Sequence, residues 1–213
     1  MTGHVNLLST EPRENSVPNV IQTRQDTPCV RYASGWNDMV ATAENDDIEL
    51  VLWKRGRISP VSAIEDVTPS EFEILVGDKD DILAGFTEAF MTSNWSAVFH
   101  EIVKLDVQAY LEAIEVVVPD SQYRLKLLAL SDDACRKFHQ DRTFQRLIIT
   151  YRGRGTVWRH EDSLTEHHAT DMECVFLRGK RAGRDAKILH KSPSFTNGHP
   201  PRLVMVIDTL PSY

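Results

Sequence analysis

The chain has 213 residues, of which 41% are hydrophobic and 26% charged, and its formal net charge is −7. These values are ordinary for a globular protein, and the acidic balance argues against a general nucleic-acid or anionic-membrane partner. No apolar run approaches the ~20 residues of a membrane span, and no secretory signal is visible at the N-terminus. Three widely spaced cysteines without a CxxC pattern indicate reduced thiols and a cytoplasmic location.

The sequence divides into a leader and one domain with two halves. Residues 1–27 are polar, contain prolines and show no periodicity, so we expect a flexible leader. Residues 28–213 are expected to form a single α+β domain. Its part 28–120 is interpreted as a helix-rich support, and its part 121–213 as a β-rich core.

The support region mixes one strand signal with several helix signals. The apolar run at 48–53 predicts a strand. Residues 68–71, Thr-Pro-Ser-Glu, resemble a helix start, and apolar residues recur at helical intervals between 82 and 105. Asp106 is predicted to cap a further helix that carries apolar residues on one side.

The second half is typical of an all-β structure. Short apolar or alternating runs are separated by turn residues, as in a β-sandwich or barrel. Gly153 and Gly155 are predicted to turn one strand into the next. The predicted strands are 123–129, 146–151, 172–177, 186–190 and 202–208.

One short motif in this half has the composition of a metal site. His139 and Asp141 are two residues apart and therefore lie on one face of an extended segment. His190 falls at the end of a later predicted strand, so sheet pairing could bring it to the other two. Two imidazoles and one carboxylate form the facial triad of non-haem Fe(II) oxygenases. The competing interpretation is a buried His139–Asp141 hydrogen bond beside an unrelated surface His190.

Three further histidines of this half occur in a polar stretch at 159–171. His160 begins a second His-then-acid match, and His167 and His168 follow it. We interpret this stretch as a solvated loop, with an adventitious or second metal site as the alternative.

A cationic side chain is needed if the site takes a 2-oxoacid dicarboxylate. Arg202 begins the strand after His190, and a guanidinium binds a carboxylate through two parallel hydrogen bonds. An arginine exposed on an edge strand is the alternative. Arg146 is the rival cation, and Tyr151 or Thr156 could donate a hydrogen bond to the same carboxylate.

Cys135 precedes His139 by four residues and offers other chemistry. A thiolate and an imidazole suit zinc, so Cys135 could be a zinc ligand with His139. An activated Cys–His nucleophile is less favoured, because no oxyanion hole is visible, and a buried Cys135 acting as a small hydrophobe is the plainer interpretation.

The second half also resembles a known family. Residues 134–141, 146–158, 190–193 and 201–208 are similar to a bacterial family catalogued only as a domain of unknown function. Its H-x-D, Gly-x-Gly-Thr turn, distal His and following Arg resemble the Fe(II)/2-oxoglutarate-dependent oxygenases. Two features depart from that pattern. Arg202 follows His190 by twelve positions, and Val204 stands where several oxygenases keep Ser.

The resemblance implies a fold and a set of ligands. The fold would be a double-stranded β-helix, or cupin-like barrel, flanked by N-terminal helices. His139, Asp141 and His190 would hold Fe(II), and Arg202 would hold 2-oxoglutarate. Two alternatives stay open: a non-catalytic zinc- or iron-binding β-barrel for metal homeostasis or sensing, and a metal-free interaction module. The primary substrate is not predicted.

Overall fold

The computed structural model describes residues 29–42, 45–56, 75–91, 95–132, 134–180, 187–195 and 201–210. The predicted leader and the predicted helix start at 68–71 lie outside these residues. The described part is mixed α/β and mostly sheet. Its helices are α1 (Trp36–Ala41), α2 (Lys79–Met91) and α3 (Ala97–Val117). Its strands are β1 (Val30–Tyr32), β2 (Leu50–Trp53), β3 (Leu75–Gly77), β4 (Gln122–Leu130), β5 (Gln145–Arg152), β6 (Val157–His160), β7 (His167–His168), β8 (Cys174–Arg178), β9 (Ile188–Lys191) and β10 (Arg202–Leu210).

The strands form two sheets, and the chain passes from one sheet to the other several times. The larger sheet has seven strands in the order β1-β2-β8-β5-β10-β4-β3, and the smaller has three in the order β7-β6-β9. After β4, the chain touches the smaller sheet through a single bridge between His139 and His190. It then returns to β5, crosses to β6 and β7, returns to β8, crosses to β9 and ends on β10. The strands from β5 onward are therefore divided between two sheets that face each other.

Side-chain alternation gives the seven-stranded sheet two different faces. Odd-numbered residues of β4, β5 and β10 pack with residues of all three helices in the larger core. On the opposite face, Ile148, Val175 and Val204 pack with Trp158 and Ile188 of the three-stranded sheet. We call the first the helix side and the second the inner side of the large sheet.

Helix α3 is the main covering of the helix side. Ser96 is its N-cap, and the Ser96 hydroxyl accepts a hydrogen bond from the Phe99 amide at 3.2 Å. Its buried residues recur at helical spacing from Phe99 to Ile114, and Phe99, Tyr110 and Leu111 are fully enclosed. In the described part of the chain, no helix is long and apolar enough to cross a membrane.

The predicted cap at Asp106 is wrong. Asp106 lies in the middle of α3, is buried, forms an ion pair with Arg55 and accepts a hydrogen bond from Tyr151 at 2.7 Å. An acid followed by an apolar stripe resembles a helix start, but here the ion pair compensates for burying the charge. The helix instead begins at Ala97, with Ser96 as its cap, about two and a half turns before Asp106.

Several strands differ from the sequence expectations. The support half also contributes β1, β2 and β3 to the large sheet, and β1 and β3 were not predicted. The stretch 159–171 is not simply a loop, because His160 ends β6 and His167 and His168 form β7. Strand β8 begins at Cys174, later than expected, since Met172 has a left-handed φ of +62° that interrupts an extended chain.

Candidate metal centre

Three side chains distant in sequence meet on the inner side of the sheets. The backbones of His139 and His190 exchange two hydrogen bonds, each of 3.0 Å, and their rings lie 4.5 Å apart between centroids. Asp141 follows two residues later. One ligand atom from each of His139, Asp141 and His190 lies within 4.8 Å of the others. The bridge to β9 therefore brings the local H-x-D pair to the distal histidine.

The donor atoms face one another in a way that suits a cation. The Nδ1 of His139 lies 2.9 Å from the Lys137 carbonyl oxygen. Because a carbonyl can only accept, Nδ1 carries the proton and Nε2 of a neutral ring keeps its lone pair. That Nε2 lies 3.5 Å from Asp141 Oδ1, and His190 Nε2 lies 3.1 Å from Asp141 Oδ2.

One of these atoms lacks the partner that a buried acceptor needs. Asp141 Oδ2 is buried and accepts no hydrogen bond of good geometry, although His190 Nε2 is near. Burial of an unsatisfied carboxylate oxygen is costly, and a bound cation would relieve it. Two imidazole nitrogens and a carboxylate are ligands for Fe(II) or Zn²⁺. The residues present therefore fit a divalent transition metal. The side chain of His139 is 34% exposed, which leaves the site open to solvent.

Arg146 supports the Asp141 carboxylate from the other side. Its Nη1 donates to Asp141 Oδ1 at 2.5 Å. Its Nε and Nη2 donate to the two oxygens of the fully buried Asp208, at 2.5 and 3.0 Å. Burial opposes the charge on Asp141, but His190, Arg146 and His139 outweigh it and lower the pKa of the carboxyl. Arg146 is thus committed to two carboxylates of this chain and is not available as the rival cation for a cosubstrate.

Arg202 is buried on the inner side, near the start of β10. Strand β10 lies between β5 and β4, so the alternative of an exposed arginine on an edge strand is wrong. Arg202 shares its face with Val204, which packs with Trp158, and Trp158 pairs with His190. The Arg202 side chain and the three candidate ligands therefore face the same interior.

The guanidinium of Arg202 has two polar neighbours and, among the described residues, no counter-ion. It donates to the Arg154 carbonyl at 2.7 Å and approaches the Thr150 hydroxyl at 3.4 Å. No carboxylate of the described residues contacts it, and burial lowers its pKa to about 10. Gly153, with φ +91°, allows this position, since a Cβ there would lie 2.9 Å from Arg202 Cγ. A buried, uncompensated guanidinium is a natural place for an external carboxylate.

Tyr151 and Thr156 are not brought to this cluster. Tyr151 points to the helix side, where its hydroxyl donates to Asp106, and burial raises its pKa well above the usual value. The expected hydrogen bond from Tyr151 to a cosubstrate is therefore wrong. Thr156 is buried in the turn before β6, and its carbonyl accepts from Ala169 at 2.9 Å. The structure supplies no contact that joins Thr156 to the three candidate ligands.

The cysteine and the other histidines lie outside the cluster. Cys135 is exposed, so the expectation of a buried hydrophobe is wrong. Among the residues that the structure describes, the one group able to hold a metal contains no cysteine and none of His160, His167 and His168. His167 stacks on Trp158 with ring centroids 4.3 Å apart, which is a packing role.

Sequence reasoning missed the charged residues around Asp141. Asp208 enters the sequence prediction only as the last residue of a strand, and Arg124 enters it only as part of a strand. Arg124 also pairs with Asp208, at 3.2 Å. The signal in the sequence is Asp208 itself, an acid that directly follows the apolar run 203–207 and whose burial requires a partner.

Comparison with protein families gives a match over most of the chain. The family described as "Protein of unknown function (DUF1826)" matches residues 37–208. No curated protein sequence matches significantly.

Solved structures similar to this chain include three proteins of low sequence identity. The dioxygenase for auxin oxidation 1 of Arabidopsis thaliana, in a complex with 2-oxoglutarate, is 11% identical over 88% of this chain and 94% of that one, with a TM-score of 0.50. A full-length Neurospora crassa protein in complex with alpha-KG and thymine is 12% identical over 88% and 87%, with a TM-score of 0.47. A Pseudomonas putida prolyl-4-hydroxylase is 9% identical over 82% and 100%, with a TM-score of 0.42. At such identities the Arabidopsis similarity shows a shared fold and nothing about activity.

Proposed function

The chain belongs to the family described as "Protein of unknown function (DUF1826)", and from that premise we propose that it is an Fe(II)- and 2-oxoglutarate-dependent oxygenase. Its fold would be a double-stranded β-helix, to which the alternation of strands between two facing sheets corresponds. The observation that carries the proposal is the meeting of His139, Asp141 and His190 within 4.8 Å on the inner side of those sheets.

Each ligand residue has a defined part in holding the metal. His139 would offer Nε2, because its Nδ1 is directed to the Lys137 carbonyl. Asp141 would offer Oδ2, because Arg146 occupies Oδ1. With His190 these make three protein ligands on one side, so the other positions stay open to cosubstrate. The iron, when bound, supplies the activation of O₂ that side chains cannot perform.

Arg202 gives the proposal its second support. A dicarboxylate needs a cation at the end away from the metal, and Arg202 is buried, inward-facing and without a carboxylate partner in the described structure. Thr150, beside it, can donate or accept a further hydrogen bond. The protein would bind and orient 2-oxoglutarate between Arg202 and the metal, while the apolar inner core excludes water.

Binding measurements test the cosubstrate separately from the metal. We expect Arg202→Gln to weaken 2-oxoglutarate binding to the metal-loaded protein by about tenfold or more, as loss of a charge-assisted pair implies. Metal affinity should be unchanged. Arg31→Gln, on an exposed position of β1, makes the same charge change and should have no effect. Calorimetric titration measures both.

Product formation completes the test. Wild-type protein with Fe(II), O₂ and 2-oxoglutarate should form succinate, and His139→Ala should not. Metal binding with no affinity for 2-oxoglutarate in the wild type would contradict the oxygenase and favour the non-catalytic metal-binding protein. Equal binding by wild type and Arg202→Gln would remove Arg202 from the site.

A further inference from the structure

Strand β4 presents a half-buried face to the inner side of the large sheet. Its odd-numbered residues are buried against the helices, whereas the even-numbered residues 124–130 are half-buried. Strand β10 pairs with β4 along its whole length, so Val206 lies opposite Lys126 and Asp208 opposite Arg124. Val206 is half-buried as well. We call Arg124, Lys126, Leu128 and Val206 the basic face, which is accessible to solvent.

The basic face is linked to the candidate metal ligands by ion pairs. Arg124 Nε donates to Asp208 Oδ2 at 3.2 Å, and Asp208 accepts from Arg146 at 2.5 Å. Arg146 donates in turn to Asp141. The other end of β10 is where Arg202 pairs with Leu130. The basic face therefore follows the middle of β10, from Leu128 opposite Val204 to Arg124 opposite Asp208, and its Arg124 end is linked to the metal centre.

Among the described residues, the side chains that β4, β5 and β10 direct to the inner side carry more cations than carboxylates. On this side lie the cations Arg124, Lys126, Arg146 and Arg202 and the carboxylates Asp141 and Asp208. With a divalent metal and a dianionic cosubstrate, six positive charges face four negative ones. Arg146 is bonded to both carboxylates and Arg124 to Asp208, so Lys126 is the cation of this group that neither a carboxylate nor the cosubstrate neutralises.

Lys126 differs in its contacts from Arg124, which pairs with Asp208. Within the described residues it has no hydrogen bond and no ion pair, although it stands beside Val206 on a half-buried surface. The chain as a whole carries a net charge of −7, so this positive excess opposes the overall balance. A concentration of one sign of charge beside a reactive centre raises the local concentration of ligands of the opposite sign.

We propose that the basic face binds an anionic group, a phosphate or a carboxylate, of the substrate that is oxidised. Leu128 and Val206 would contact an apolar part next to that group. Lys126 and Arg124 would then act in specificity by orienting the substrate toward the metal. This inference rests on the proposed function for the identity of the ligand, but the anion site itself does not depend on it.

Small aromatic probes test the site in the full-length protein. Phenyl phosphate and benzoate represent the two kinds of anion, and benzyl alcohol is a neutral probe of similar size. Each is titrated calorimetrically in the presence of Zn²⁺ and saturating 2-oxoglutarate, so that the triad and Arg202 are occupied. We expect at least one of the anions to bind and Lys126→Gln to weaken it about tenfold, with binding falling as salt rises.

Lys104→Gln is the matched control. Lys104 is also half-buried, but it lies on α3, on the helix side of the sheet, and its loss changes the net charge by the same amount. The affinity of this variant for the anions should stay within about twofold of the wild type, because its charge is remote from the basic face. A preserved melting temperature in Lys126→Gln shows that any loss of binding is not unfolding.

The outcomes separate this inference from the proposed function. Failure of both anions to bind, equal losses in Lys126→Gln and Lys104→Gln, or equally tight binding of benzyl alcohol would each overturn the basic face as an anion site. Lys126-dependent anion binding in a protein that binds neither metal nor 2-oxoglutarate would leave the basic face standing and reject the oxygenase. Succinate formation by a protein whose anion binding does not depend on Lys126 would support the oxygenase and reject the basic face as the anion site.

Discussion

Removal of Arg146 tests the charged network behind Asp141. In Arg146→Gln, Asp208 loses both of its hydrogen bonds from β5 and keeps only Arg124 as a cationic partner, while Asp208 itself is 0% exposed. Breaking a buried ion pair by removing one partner costs about 3–5 kcal/mol. Because Arg124 remains, we expect the lower end, about 3 kcal/mol. In a protein of this size that corresponds to a fall in Tm of about 6–12 °C.

Arg124→Gln is the matched control for this experiment. It removes the same charge from the same carboxylate, but the Arg124 side chain is 33% exposed, and solvent screens its pair. We expect a loss of about 1 kcal/mol or less. Thermal and urea unfolding of chelator-treated protein measure both variants without interference from metal binding.

The double variant Arg146→Gln with Asp208→Asn sharpens the comparison. Asparagine removes the buried charge that Arg146 neutralises, so the second substitution should recover part of the stability lost in the first. Equal small losses in Arg146→Gln and Arg124→Gln, or a double variant no more stable than Arg146→Gln alone, would refute the idea that Arg146 compensates a buried Asp208.

Two further predictions concern the helix side. Tyr151→Phe should lower the free energy of unfolding by about 1 kcal/mol, through loss of its bond to Asp106, and leave 2-oxoglutarate affinity unchanged in calorimetry. Weakened 2-oxoglutarate binding in that variant would restore Tyr151 to the site. His100 stacks on Phe90, and its burial lowers its pKa. As the pH falls, the imidazole of the unfolded chain is therefore protonated at a higher pH than that of the folded protein. Stability should therefore be full above about pH 6.5 and fall as the pH drops below it, and His100→Phe should flatten that slope in urea unfolding.

Local sequence patterns predicted the strands that form the centre of the large sheet. The alternation at 123–129 and the apolar runs at 146–151 and 202–208 correspond to β4, β5 and β10. These elements are set by periodicity, which is a local property. Strands β1 and β3 have only three residues each, and pairing with a neighbouring strand determines them. A run of three residues is too short to show a periodicity that predicts a strand.

The candidate site was predictable only in part, because the spacing of His139 and Asp141 is local in the sequence, whereas the position of His190 depends on the fold. The spacing of His139 and Asp141 is local and was readable. The position of His190 depends on a backbone bridge to His139, a residue far from it in the sequence. The commitment of Arg146 to Asp208 depends on the register of β5 against β10, which places the two residues opposite each other.

The face of a strand residue explains the error at Tyr151. Along β5, Arg146, Ile148 and Thr150 point to the inner side, so Tyr151 must point to the helices. The sequence shows which residues of β5 share a face, because alternate residues do. The sequence does not show which of the two faces is directed to the site, because that depends on which face the helices cover and which the small sheet covers.

Metal binding by the three converging side chains is the claim on which the function depends. Equilibrium dialysis of chelator-treated protein against Fe(II) without oxygen should give one tightly bound ion per chain. His139→Ala and His190→Ala should each weaken Fe(II) binding by more than about a hundredfold, which exceeds the effect of losing a residue that only hydrogen-bonds to a metal ligand. His168→Ala, at an exposed position outside the cluster, should not. Undiminished binding of one ion by His190→Ala would contradict the account.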